Sequence, residues 1–169
     1  MQWIAISGSW RKFDAQVEKD VREVAREIIS RGNGIVSGGA LGVDYFATDE
    51  AMKLNPAANQ IKIFLPGTLE LYAAHCDERI ERGDFTREQI DELIGQLIKL
   101  KEANPNALIE DRESSTIDGA AYEKRRAAII VAADAVEAFQ VNGSVGTQDT
   151  IDKALARGLE VNKREYTIE

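Results

Sequence analysis

Two glycine-rich segments constrain this chain more than any other feature. Ser37-Gly38-Gly39-Ala40-Leu41-Gly42-Val43-Asp44 grows out of the apolar run Ile35–Ser37. Asn142-Gly143-Ser144-Val145-Gly146-Thr147-Gln148-Asp149 follows the run Ala135–Val141. Each opens a stretch with apolar residues at helical spacing, Val43–Leu54 and Val145–Arg157. A strand that turns on glycine into a helix lets bare backbone approach a ligand closely. The helix adds unpaired N–H groups and the positive end of its dipole. Glycine also makes tight turns for their own sake, but two such turns at equivalent places in one sheet point to an anion.

The rest of the chain repeats this alternation. Trp3–Ser7 reads as a strand. Asp14 caps a predicted helix with Val17, Val21, Val24, Ala25, Ile28 and Ile29 on one face, closed by Gly32 and Gly34. Ile61–Leu65 is a third strand, ended by Pro66-Gly67. Thr68–Asp118 departs from the pattern. It holds a helix over Leu69–Arg82 and a second one introduced by the capping box Thr86…Gln89, with Ile90, Leu93, Ile94, Leu97 and Ile98 as its stripe. Glu110–Asp118 reads as a loop. A helix over Tyr122–Ala132, the fourth strand Ala135–Val141, a helix and a last strand Leu159–Asn162, extended at Tyr166–Ile168, complete the chain. The expected fold is α/β, a Rossmann-like parallel sheet flanked by helices. We read residues 1–169 as one domain, with a helical insertion over about 68–118 after the third strand.

In such a sheet, ligands bind outside the carboxyl ends of the strands. Ser7-Gly8-Ser9-Trp10-Arg11 falls there as well. Neither long segment has the G-x-G-x-x-G spacing of dinucleotide enzymes, and no G-x-x-x-x-G-K-[ST] is present. Hydride transfer and P-loop phosphoryl transfer are therefore set aside. With one histidine (His75) and one cysteine (Cys76), no metal site and no disulfide framework are expected. His75 and Cys76 are neighbours on a predicted helix, so their side chains do not face each other as a nucleophilic pair must. No apolar run is long enough to span a membrane, and Met1–Ser7 reads as strand rather than secretory signal. A cytoplasmic protein is expected. The net charge of -8 argues against nucleic acid as a partner, because Lys and Arg supply most of the affinity for a phosphate backbone.

The strand ending in Gly-Ser, the run Ser-Gly-Gly-Ala-x-Gly-Val-Asp, an Arg-bearing helix and Gly-Ser-x-Gly-Thr resemble the SLOG superfamily. That superfamily includes DNA-processing protein A and the LOG phosphoribohydrolases. Ser37–Asp44 is close to the former's motif, and Gly143–Thr147 is closer to the latter's Pro-Gly-Gly-x-Gly-Thr-x-x-Glu. The resemblance covers about residues 3–65 and 119–162. It implies a nucleotide-like phosphate ligand with no further cofactor. Gly8, Ser9, Arg11, Ser37, Gly38, Gly39, Gly42 and Asp44 would lie on one side. Gly143, Ser144, Gly146 and Thr147 would lie on the other. Arg125 and Arg126 match the basic pair before the fourth strand, one of them reaching the phosphate. Asp44 serves equally well as a carboxylate stabilising a helix start. Trp10 either stacks on a base or packs beneath the insertion.

Where the LOG motif carries its catalytic Glu, this chain has Thr150, which has no carboxylate. Asp149 projects about 100° away on a helix. Asp149 and Glu123 are the remaining candidates for chemistry. The leading expectation is a protein that binds a small-molecule nucleotide without hydrolysing it. The alternatives are a nucleoside 5′-monophosphate ribohydrolase and a single-stranded DNA-binding module of the DNA-processing type. Ile129, Ile130 and Val131 make the Arg-bearing helix apolar enough for a homodimer face or for core.

Overall fold

The computed structural model describes all 169 residues. Six parallel strands form one sheet: β1 (Trp3–Gly8), β2 (Gly34–Gly38), β3 (Ile61–Phe64), β4 (Leu108–Ile109), β5 (Ala135–Val141) and β6 (Glu160–Tyr166). Their order is β4-β3-β2-β1-β5-β6. Six helices connect them: α1 (Ala15–Ser30), α2 (Val43–Leu54), α3 (Leu69–Glu81), α4 (Arg87–Ala103), α5 (Gly119–Ala132) and α6 (Val145–Ala156). The expected Rossmann-like α/β fold is the one observed.

Alternation along the strands sorts the core into two layers. Ile4, Ile6, Phe139 and Val141 point to one face, where Val17, Val21, Phe46 and Leu97 of α1, α2 and α4 cover them. Ala5, Val36, Val136 and Ala138 point to the other, against Ile129, Ile130, Ile151 and Ala154 of α5 and α6. Ile129 and Ile130 are therefore core, while Val131 is exposed. No helix is long and apolar enough to cross a membrane.

Three details differ from the expectation. Residues Leu108–Ile109, expected between elements, pair with Ile63 and Phe64 as β4. α5 begins at Gly119 rather than Tyr122, because the Asp118 carboxylate accepts the Ala121 N–H at 3.0 Å and caps the helix there. β6 runs unbroken through its charged middle. It is an edge strand, where charged side chains reach solvent, and Arg164 pairs with Glu137 at 2.6 Å.

The sheet order fixes where a ligand can sit. From β1 the chain steps through β2, β3 and β4 on one side, then returns to place β5 and β6 on the other. The crevice opens at that reversal, outside the carboxyl ends of β1 and β5.

Candidate functional site at the strand reversal

A cavity of about 620 Å³ occupies the crevice. Gly8 and Ser9 line it from the end of β1. Gly38, Ala40 and Asp44 line it from the β2–α2 turn, and Ser144, Gly146 and Thr147 from the β5–α6 turn. The two glycine turns, a hundred residues apart in sequence, thus face one space.

Helix capping distinguishes the helices that end here. The N-termini of α1, α3, α4 and α5 are each closed by a side chain, from Asp14, Thr68, Thr86 and Asp118. α2 and α6, whose first turns meet the cavity, have no side-chain cap. At α6 the Ser144 hydroxyl instead donates to Thr147 Oγ1 at 2.8 Å.

Four arginines line the cavity: Arg11, Arg79, Arg125 and Arg126. They are not equivalent. Arg126 is held by Asp149 at 2.9 Å, and Arg11 lies 3.6 Å from Asp84. Arg79 also reaches Asp84, at 3.3 Å. The Nε and Nη1 atoms of Arg125 are buried and have no hydrogen-bond partner. An unpaired buried donor costs roughly 1–3 kcal/mol, more when charged, so such groups call for a partner.

Asp44 is the one carboxylate lining the cavity. It is 9% exposed, and its Oδ1 lies 2.8 Å from the Ser37 hydroxyl. Burial pushes its carboxyl up to about 6, against the opposing pull of Arg125 and Ser37. A Cβ on Gly38 would fall 2.9 Å from Asp44 Oδ2 and 3.0 Å from Arg125 Cζ, so glycine is what lets both groups settle there.

Several residues named from the sequence support the site without lining it. Ser37 holds Asp44 from behind. Gly39 packs under Leu65 and accepts the Tyr72 hydroxyl at 2.6 Å. Gly42, at φ +76°, brings α2 beneath the Ser9 carbonyl, and Gly143, at φ +63°, turns the chain at an exposed corner. Asp149 is held by Lys153 at 2.6 Å as well as by Arg126, which lowers its pKa, and Glu123 is exposed beside Lys153. Neither candidate for chemistry lines the cavity.

The α3–α4 segment contributes what the motifs did not reveal. Tyr72 and Arg79 of α3, Phe85 of the α3–α4 turn and Leu93 of α4 wall the cavity. Trp10 both lines the cavity and packs against the α3–α4 segment, edge-on to Phe85 at 5.3 Å and 4.3 Å from the Arg79 guanidinium. The periodicity of α3 carries no sign of Arg79's place at the cavity, which depends on how α3 and α4 fold back over the sheet. Cys76 also lines the cavity, but burial raises its thiol to about 11, whereas burial lowers the pKa of His75. The two do not form a thiolate–imidazolium pair.

Fold and motifs together define a Rossmann-like α/β protein of the SLOG superfamily. Within it, the chain belongs to the DNA recombination-mediator protein A family, whose model matches residues 1–163. No curated protein sequence matches the chain. Among solved structures it is similar to DNA processing protein A from Helicobacter pylori, described for its single-stranded DNA binding mode. The identity is 21% and the TM-score 0.69, over 96% of this chain and 64% of that one. It is also similar to TM1055, a structural-genomics target, with 16% identity, a TM-score of 0.55, and coverage of 95% and 72%. A third is DNA processing protein A from Streptococcus pneumoniae, with 15% identity, a TM-score of 0.52, and coverage of 95% and 58%. The chain thus spans about three fifths of the length of each DNA processing protein.

Family membership overturns the expectation, drawn from net charge, that nucleic acid is no partner for this chain. The physical reason lies in the distribution of charge. The total of -8 is a sum over the whole surface, where acids such as Asp49, Glu50 and Asp149 are engaged in ion pairs. At the cavity Arg11 and Arg79 pair with Asp84 and Arg126 with Asp149, which leaves Arg125 without an ion-pair partner beside the buried Asp44.

Proposed function

We propose that this chain binds single-stranded DNA, with the backbone phosphate of one nucleotide unit held in the cavity at the strand reversal. The observation that carries this reading is Arg125, whose two buried N–H groups lack any protein acceptor at the edge of a cavity lined by three further arginines. Family membership supports it. The uncapped ends of α2 and α6 supply backbone donors for the same anion. Trp10 and Phe85 place aromatic rings beside it, with the Arg11 and Arg79 guanidiniums 4.4 and 4.3 Å from the Trp10 ring centre, and single-strand binders combine such rings with cationic groups.

The test is fluorescence anisotropy of a labelled oligothymidylate, with salt as a variable. Binding should weaken as salt rises. Arg125→Ala should lose about ten- to a hundred-fold in affinity, corresponding to a charge-assisted hydrogen bond of roughly 1.5–3 kcal/mol. Arg126→Ala should lose less, because Asp149 already occupies that side chain. Absence of binding at low salt would sink the proposal.

A free nucleotide is the second reading. The cavity's volume lies within the range of small-molecule sites, roughly 300–1,000 Å³, and the insertion encloses it on one side. A thermal-shift panel separates the two, since only a ligand that binds the native state raises its stability. A shift with mononucleotides but none with oligothymidylate would favour this reading.

A further inference from the structure

We propose that Asp44 is the proton-accepting member of the phosphate site: when a nucleotide phosphate settles against Arg125, Asp44 takes up one proton from solvent and becomes a neutral carboxyl. The proposal rests on the reading of the cavity as a phosphate site. It goes beyond that reading in assigning a residue that couples ligand binding to a proton.

The argument begins with charge. Arg125 is the uncommitted guanidinium of the cavity, and Asp44 shares its position over Gly38 without closing an ion pair with it. A phosphate drawn to Arg125 adds a second negative group beside a carboxylate that is 9% exposed. Two anions cannot share one dry site at little cost, so one of them is neutralised.

The hydrogen bonds around Asp44 favour the neutral form. Ser37 Oγ lies 2.8 Å from Asp44 Oδ1 and 3.1 Å from the Ile6 carbonyl oxygen. A hydroxyl has one proton, so it can serve only one of these two acceptors. With a proton on Asp44 both contacts are satisfied. Asp44 donates to Ser37 Oγ, and Ser37 donates to Ile6. Oδ2 then faces the cavity as a neutral oxygen, with the Ala40 N–H at 3.4 Å.

The other groups around Asp44 do not supply this proton themselves. Tyr72, from α3, gives its hydroxyl proton to the Gly39 carbonyl at 2.6 Å, and burial raises its pKa well above the ordinary value. Burial already lifts the Asp44 carboxyl to about 6, and an incoming anion pushes it in the same direction.

Isothermal titration calorimetry of the full chain tests the proposal, run at pH 7.5 in two buffers of different ionisation enthalpy. The probes are oligothymidylate without a terminal phosphate and thymidine 5′-monophosphate. The expected result is a buffer-dependent enthalpy approaching one proton taken up per phosphate bound. Affinity should fall by up to about tenfold per pH unit above neutrality. Asp44→Asn, verified as folded by its thermal melt, should abolish the uptake, flatten the pH profile and bind more tightly than the parent at pH 8. Uptake with both probes assigns the effect to the phosphate they share, and uptake with the monophosphate alone assigns it to a terminal monoester. Proton uptake that persists in Asp44→Asn places the proton elsewhere and overturns the proposal. So does tight, Arg125-dependent binding with a buffer-independent enthalpy, which would leave the phosphate reading intact. Binding insensitive to Arg125→Ala, or no binding of either probe, overturns both.

Discussion

Arg125 and Asp44 lie against the same glycine, Gly38, and do not pair with each other. Opposite charges this close normally close up. That these do not leaves the guanidinium free and the carboxyl buried, and several predictions depend on this arrangement.

Gly38→Ala and Gly8→Ala should fail in different ways. At Gly38 the added Cβ meets Asp44 Oδ2 at 2.9 Å and the far end of Arg125 at 3.0 Å, both side-chain ends rather than backbone, and Arg125 can swing aside. The fold should survive, while oligonucleotide affinity drops by about tenfold or more. At Gly8 the Cβ meets Val43 Cγ2 at 2.5 Å and the Phe139 carbonyl oxygen at 2.8 Å, and backbone cannot yield cheaply. That variant should lose about 1–3 kcal/mol of stability in urea unfolding. An unchanged midpoint for Gly8→Ala would contradict the packing described for the end of β1.

Asp44 should cost the folded state stability at neutral pH. Its pKa is raised by folding, so the native chain holds a proton that the unfolded chain gives up from about pH 4 upward. Stability owed to this group therefore falls as pH rises from about 4 to 6 and is level above. Asp44→Asn should match the parent near pH 4 and exceed it by up to about 3 kcal/mol at pH 7.5. Urea unfolding at the two pH values checks this, and a gap that shrinks with rising pH would refute it.

Removing caps should separate structural helix starts from those facing the cavity. Asp118→Ala removes the acceptor for the Ala121 N–H and should cost about 1 kcal/mol. Ser144→Ala removes a hydroxyl that caps no backbone group and should cost roughly a few tenths. Equal losses would mean that the two helix ends are held alike.

Trp10 should report on the site. Oligonucleotide binding should change the tryptophan emission of the parent, and Trp10→Phe should abolish the change. The remaining tryptophan, Trp3, packs with the core layer beneath α5 and α6, its ring 4.0 Å from Lys62 Nζ. A change retained in Trp10→Phe would place the ligand away from the cavity mouth.

Much of this molecule was legible in its sequence, for reasons that differ by element. The glycine turns could be read because close backbone approach admits few other residues, as Gly8 and Gly38 show. The capping box at Thr86 and Gln89 appears in place, since capping is local chemistry. β4 was hidden because two residues cannot show alternation. β6 was hidden because an edge strand tolerates Lys163 and Arg164. The choice between Arg125 and Arg126 could not be read at all. It depends on Asp149 lying on a neighbouring helix, within reach of one arginine and not the other. Arg79 and Phe85 could not be read because a wall supplied by the α3–α4 pair has no signature at its own positions.

The central place of β1 also bears on how the chain becomes functional. β1 pairs with β2 on one side and with β5 on the other, and the second partner comes more than a hundred residues later. A nascent chain can assemble β1, β2 and β3 while half of the crevice is still missing. Pairing across so long a loop is the slow step of such topologies. Competence to hold a ligand should therefore arrive only once α5, β5 and α6 have docked beside β1, because Arg125 and the second glycine turn come with them.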